Sequence, residues 1–478
     1  MATTSTFLLL GGLALGGGAA QAQATLFAPV VTYPVAGSPR NLVVADVNND
    51  GKADVLTANQ ASNSVGVLLG AGNGTFQAAT TYSTGASSNP YDVAVADVNA
   101  DGKPDVLTAN YTTNSVGVLL GNGNGTFQPV ATYATGVANG SPAGIAVADV
   151  TGDGKPDLVT ANGFGYNISV FAGTGTGSFQ APVSYALGPN AAPLDVTVAD
   201  LNADGQPDLV VANAGSNTVA LLMGRGGSGF LPGPYAVGTS ASFIPYGVAA
   251  GDVNGDGRPD VVTANSANST VSVLLNQGVS LGAATSFQNP GAPANIAVAD
   301  INRDGQADLI TTNPGDPAVA VLLGNGDGTF QPRSRYVTSN NNAPSGLAVA
   351  DVNGDGRPDV LTANTGGTVG VLLNASAVLG TRAALPGATA TLHPNPAADY
   401  ATLTLGGLPA TVAQVQATLL DATGRAVRHY TLAAGQGRAH AEVATAGLAP
   451  GFYLLRLASL TAQGAPAGGL PTQRLSVR

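Results

Sequence analysis

Three aspartates and an asparagine recur within nine residues, seven times along this chain. The copies begin at Asp46, Asp97, Asp149, Asp200, Asp252, Asp300 and Asp351, in steps of 51, 52, 51, 52, 48 and 51 residues. Each reads Asp-x-Asn-x-Asp-Gly-x-x-Asp, except the third, which has Thr151 at the Asn position. Side-chain oxygens at positions 1, 3, 5 and 9, with a backbone carbonyl at position 7, form the hard-oxygen donor set that suits Ca²⁺. Imidazole and thiolate are absent from the repeats, which disfavours zinc.

The expected ligands are Asp46, Asn48, Asp50, the Lys52 carbonyl and Asp54 in the first copy, and Asp97, Asn99, Asp101, Lys103 and Asp105 in the second. Asp149, Thr151, Asp153, Lys155 and Asp157 follow, then Asp200, Asn202, Asp204, Gln206 and Asp208. The last three sets are Asp252, Asn254, Asp256, Arg258 and Asp260; Asp300, Asn302, Asp304, Gln306 and Asp308; and Asp351, Asn353, Asp355, Arg357 and Asp359. No Glu follows at the twelfth position, so the loop is expected between two strands and not in a helix-loop-helix. Asp, Asn and Gly also build ordinary turns without metal. Three carboxylates in one short loop repel one another without a cation, so up to seven Ca²⁺ are expected, with the third loop the weakest site.

These loops hold 21 of the 28 acidic residues. The formal charge of −11 is therefore clustered ligand charge, which seven Ca²⁺ would turn to +3. Lys and Arg are scattered and form no basic stripe, which argues against nucleic acid. Cysteine is absent, and all three His (His393, His429, His440) follow the repeats.

What positions the loops is a repeat of about 51 residues, a period of propellers, solenoids or arrays. In the second copy four strands are expected, at 92–96, 106–109, 116–120 and 127–133, separated by Asn/Gly turns. The seventh copy stops after its third strand. Its missing partner is at the other end of the chain, where Phe27, Pro29, Val30, Thr32 and Tyr33 match Phe127, Pro129, Val130, Thr132 and Tyr133. A split blade closes a ring and has no place in a linear solenoid. The expected fold is all-β: a seven-bladed β-propeller over residues 25–374, closed by an N-terminal strand. A linker (375–390) and a small C-terminal β-sandwich (391–478) follow. Residues 1–24, with the apolar run Phe7–Leu15 and Ala22-Gln23-Ala24, read as a secretory signal peptide too short for a membrane span.

The acidic loop with its Gly-rich turn (Gly121-Asn-Gly-Asn-Gly-Thr-Phe127) resembles the FG-GAP or VCBS-type repeat of integrin alpha-subunit propellers and bacterial exported proteins. The resemblance implies calcium on one face and partners on the other. The tail segments Leu392-His-Pro-Asn-Pro396, Leu420-Asp-Ala-Thr-Gly-Arg425, Gly447-Leu-Ala-Pro-Gly-Phe-Tyr453 and Leu475-Ser-Val-Arg478 resemble the C-terminal sorting domain of the type IX secretion system of Bacteroidota. That resemblance implies contact with the secretion machinery and a secreted or cell-surface location.

If the acidic loops join strands one and two, the opposite face collects Tyr91, Tyr111, Phe164, Tyr166, Phe243 and Tyr246. Rings beside amides suit a glycan or a surface protein, so a binding or adhesion module is expected and not an enzyme. A Ser-His-Asp triad is excluded inside the repeats. A polysaccharide-degrading enzyme would need a carboxylate pair, for which Asp92, Asp195, Asp316 and Asp327 alone within the propeller are free of the loops. Asp92 and Asp195 occupy equivalent places and read as repeat structure. A passive surface element is the remaining alternative.

Overall fold

The protein is described by a computed structural model. It covers residues 26–226, 229–236, 243–278, 280–338, 342–375, 388–393, 399–420, 426–448, 451–460, 466–470 and 473–477. The expected signal peptide lies outside the described residues, as does most of the expected linker.

Seven four-stranded antiparallel sheets account for residues 31–372. In the second, Pro90–Ala96, Asp105–Asn110, Ser115–Leu119 and Ala131–Ala134 run from inside to outside. The outer strand is shorter than the 127–133 expected. Phe127 makes only an isolated bridge to Gly121, and Pro129 has no N–H with which to continue the ladder. Each inner strand touches the next, and Pro344–Ala350 of the last sheet touches Pro39–Ala45 of the first, so the sheets form a closed propeller. The second strands are buried throughout, as suits sheets covered on both faces.

The ring is closed by the residues expected to close it. Val31–Pro34 pairs with Thr368–Leu372, with Tyr33 opposite Val369 and Thr32 opposite Gly370. In the second blade Tyr133 faces Val116 and Thr132 faces Gly117, which is the same register. Phe27 packs edge-on against Tyr336 of the sixth blade at 4.9 Å, and Tyr33 against Phe76 of the first at 5.4 Å. The same edge-to-face geometry recurs in Tyr82–Phe127, Tyr133–Phe179, Tyr185–Phe230 and Phe287–Phe330. Each pair joins neighbouring blades and adds about 0.5–1.5 kcal/mol beyond the area it buries.

Residues 389–477 form two further sheets, of three and five strands. Leu403, Leu405 and Val443 of one pack with Val415, Leu419 and Leu455 of the other in a single core. Gln414–Leu420 and Gly451–Leu460 pair antiparallel within the five-stranded sheet.

Candidate functional site

The acidic loops connect inner to second strands, as expected, and are wound tightly by their own backbone. In the second copy Asp97 accepts hydrogen bonds from the N–H groups of Asp101 (3.1 Å) and Gly102 (2.8 Å). Asn99 Oδ1 also accepts from Asp101, and Asp101 accepts from Lys103 N–H at 3.0 Å. Gly102 has φ near +78°, the left-handed turn that brings positions 1, 3 and 5 to one side. Asp105 is fully buried; its two oxygens accept from Val98 N–H (2.9 Å) and Gly121 N–H (2.7 Å). Thus the ninth residue ties the loop to the hairpin that follows the third strand.

Burial pushes Asp105 up, its two backbone hydrogen bonds pull it back, and the charges of Asp101 and Asp97 push it up again. Asp54, Asp208 and Asp260 behave likewise, and Asp308 and Asp359 are pushed up to about 6 by burial. The carboxylates at positions 1, 5 and 9 therefore feel one another, a repulsion that a divalent cation would relieve. Against a finished cage, Lys52, Lys155 and Arg357 pair with the fifth-position carboxylates. Among the described residues no three acidic or His groups stand as a closed metal cluster. The donor set, all hard oxygen, fits Ca²⁺; the side chains lie as in an open loop.

The third loop is wound differently. Asp157 Oδ2 accepts from Thr151 N–H, whereas Val150 N–H turns to the Ala148 carbonyl. Thr151 Oγ1 is buried without a partner, where the other copies place an amide oxygen over the fifth-position N–H. With Thr in place of Asn this copy lacks that loop-closing bond.

On the opposite face, the mouth of the central axis is built from two successive positions of the inner strands. The upper ring is Arg40, Tyr91, Ala143, Leu194, Tyr246, Ala294 and Ser345; the lower is Asn41, Asp92, Gly144, Asp195, Gly247, Asn295 and Gly346. The alternation with glycine is steric. A Cβ on Gly144 would lie 2.9 Å from Asp195 Cα, and one on Gly346 2.6 Å from Asn41 Cα. Asp92 accepts from Val93 N–H and, across the blade boundary, from Ile145 N–H at 2.9 Å. Asp195 does the same with Val196 and Val248. Each aspartate therefore caps an N–H of the following blade where glycine leaves none to cap itself. Burial pushes Asp92 up to about 6; burial and then the Asp92 charge push Asp195 up to about 7.

Arg40 reaches across this mouth. Its guanidinium lies 5.0 Å from the Tyr91 ring centre and 5.2 Å from that of Tyr246, and donates to the Tyr246 hydroxyl. Its charge also holds Asp92 down against burial. A cavity of about 40 Å³ remains beneath it.

A family model described as FG-GAP-like repeat matches residues 46–108, 97–160, 149–211, 200–263, 252–311 and 306–362, well over half of the chain. The chain belongs to the FG-GAP-like repeat family. A second model, the secretion system C-terminal sorting domain, matches residues 391–464. The FG-GAP-like protein is thereby marked for export through type IX secretion, to the cell surface or the medium, and the sorting domain implies contact with that machinery. No helix among the described residues is long and apolar enough to cross a membrane.

No curated protein matches the chain. Solved structures that resemble the FG-GAP-like protein include two crystal structures of BBS1N in complex with ARL6DN. The one soaked with lead has 11% identity and a TM-score of 0.52, covering 74% of this chain and 97% of that one. The one soaked with mercury has 11% identity and a TM-score of 0.53, covering 74% and 98%. At that identity the likeness is one of fold. The extracellular domain of the putative hybrid two-component system BT4673 from B. thetaiotaomicron has 10% identity and a TM-score of 0.47, covering 95% and 59%.

Of the six aromatic residues expected on the face away from the acidic loops, four converge. Tyr91 and Tyr111 stack at 4.4 Å with 17° between planes, and Phe164 meets Tyr111 edge-on at 6.2 Å. Tyr246 joins them through Arg40. Phe164 is 65% exposed, so the row ends in an open ring. Tyr166 is 38% exposed but enters no ring pair among the described residues. Phe243 corrects the expectation: it is buried beside Leu221 and Val248 and serves the core. Its cluster is built from apolar residues of the fourth and fifth blades, which draw it inward. Sequence reading missed Arg40, Asn41 and Asn295. The signal was present in the upper-ring position, which holds Arg, Tyr, Ala, Leu, Tyr, Ala and Ser in seven otherwise similar copies.

Proposed function

We propose that the protein is an exported binding module, stabilised by calcium in its acidic loops, that takes a glycan or a surface partner on the opposite face. The observation that carries this reading is the aromatic row Tyr91, Tyr111 and Phe164, which leads outward from the axial mouth where Arg40 bridges Tyr91 and Tyr246. A scaffold repeated for stability has diverged there, and loops held by a rigid frame are where binding residues concentrate. The test is a glycan array and whole-cell binding with the wild type and with Tyr111→Ala/Phe164→Ala. Loss of signal in the variant supports the reading; binding unchanged by the double substitution overturns it.

A catalytic reading has one observation in its favour, two axial carboxylates pushed up toward neutrality. Two facts weigh against it. Both oxygens of each aspartate are engaged by backbone N–H groups, and about 40 Å³ does not admit a sugar ring and its scissile bond. Release of reducing ends from polysaccharide, abolished by Asp195→Asn, would reverse this choice.

A further inference from the structure

We infer that the axial mouth is the end-reading subsite of that binding face, where the exocyclic hydroxymethyl group of a neutral hexose inserts between Arg40 and the Asp92/Asp195 pair while its ring stays outside, against the edges of the aromatic row. This rests on the proposed binding reading and sharpens it to a substrate class.

Size comes first. Each water-sized group needs roughly 10–15 Å³ of such space, so about 40 Å³ takes a hydroxymethyl group with one water and excludes a whole pyranose. Polarity comes second. A carboxylate offers about four lone-pair directions. Asp195 gives two to backbone N–H groups and keeps two, and Asp92 also accepts from Asn41 at 2.5 Å and keeps one. The floor therefore wants donors, which a hydroxyl supplies. Arg40 gives one N–H to Tyr246 and carries further N–H groups that an accepting ligand oxygen can use. Charge comes third. Two carboxylates outnumber the one guanidinium, so a uronate carboxylate at the same carbon is repelled once the pair is ionised.

The asymmetry of the ring says where the ligand enters. Arg40, Tyr91 and Tyr246 fill the mouth from the first, second and fifth blades, whereas Ala143, Ala294 and Ser345 leave it open elsewhere. Beyond Tyr91 the stacked Tyr111 and exposed Phe164 continue the apolar row away from the axis. A sugar has apolar C–H faces and hydroxyl edges, which match rings beside carboxylates and amides.

The test is calorimetric titration of the full chain in calcium buffer at pH 8. The probes are cellohexaose and mannohexaose, with xylohexaose and hexagalacturonate as ligands lacking or oxidising the hydroxymethyl group. The expected result is at least a tenfold preference for a hexose oligomer over xylohexaose and hexagalacturonate. Asp195→Asn and Arg40→Met should each weaken hexose binding tenfold or more, with melting curves showing that the variants fold. Equal affinity for cellohexaose and xylohexaose, preference for the uronate, or no binding of any probe overturns the inference. Hexose binding that needs Tyr111 and Phe164 but ignores Asp195 and Arg40 overturns it while leaving the binding face standing. If a variant fails to fold, the comparison among ligands on the wild type still decides.

Discussion

Val211 stands where the other six repeats carry a threonine: Thr57, Thr108, Thr160, Thr263, Thr311 and Thr362. In five of those six, the hydroxyl donates to the amide oxygen of the asparagine two residues on, as Thr108 does to Asn110 at 3.0 Å. Behind Val211, Asn213 Oδ1 is buried with no donor. A buried orphan acceptor costs about 1–3 kcal/mol. Val211→Thr should therefore stabilise the protein by about 1 kcal/mol, read as a higher urea midpoint; an unchanged or lower midpoint would discard the explanation. Asp195 gives the opposite kind of forecast. Its carboxyl is pushed up to about 7 and that of Asp92 to about 6, against an ordinary value of 3.8. A raised carboxyl contributes stability that is complete below pH 3.8 and lost as pH rises through 6 and 7. In constant calcium, the wild type should melt at a higher temperature at pH 5 than at pH 8. Asp195→Asn should narrow that gap, and an equal gap in both proteins would count against it.

At the scale of the element, the N-terminal segment and the acidic loops are the parts that hold blades to one another. Phe27 is 5% exposed and meets Tyr336 across the last blade boundary. Phe27→Ala should cost about 3–5 kcal/mol, the range for truncating a buried Phe, and should expose the sixth and seventh blades, whose residues surround it, to protease before the rest. Uniform digestion would argue that closure lies elsewhere. This segment was legible in the sequence because five residues match the outer strand of another copy in type and spacing. The loops were legible for the same reason, and Thr151 marked the copy that winds differently. The axial mouth was not. Its lower ring requires glycine beside Asp or Asn, a constraint set by the approach of neighbouring strands to 2.6–2.9 Å of a hypothetical Cβ. No window along the chain contains that contact. Phe243 misled for a related reason: a loop position suggested exposure, while its burial comes from the flanking blades.

For the whole molecule, the acidic loops act as a set. Each ninth-position aspartate joins its loop to the next hairpin of its own blade, and hairpins donate onward to neighbouring loops, as Gly125 N–H does to the Val47 carbonyl. Ions that bind only the native ring stabilise it by mass action. Excess chelator should lower the melting midpoint, and calcium titration of the chelated protein should reveal one site weaker than the rest, strengthened by Thr151→Asn. A midpoint indifferent to chelator would remove calcium from the account, and seven equal sites would remove the special status of the third.

The strand Val31–Pro34 pairs with Thr368–Leu372, so the strand that precedes all others of the ring makes the pairing that completes the circle. No fragment lacking the seventh copy can complete the circle, however well its own blades form. Until that copy arrives, Tyr33 has no sheet to join and the sixth blade has an open flank. Success or failure is thereby deferred to one late event joining residues more than three hundred positions apart. Moving residues 26–36 to follow Asn374 would make the same contact a local hairpin, leaving the finished circle unchanged while giving its assembly a different history.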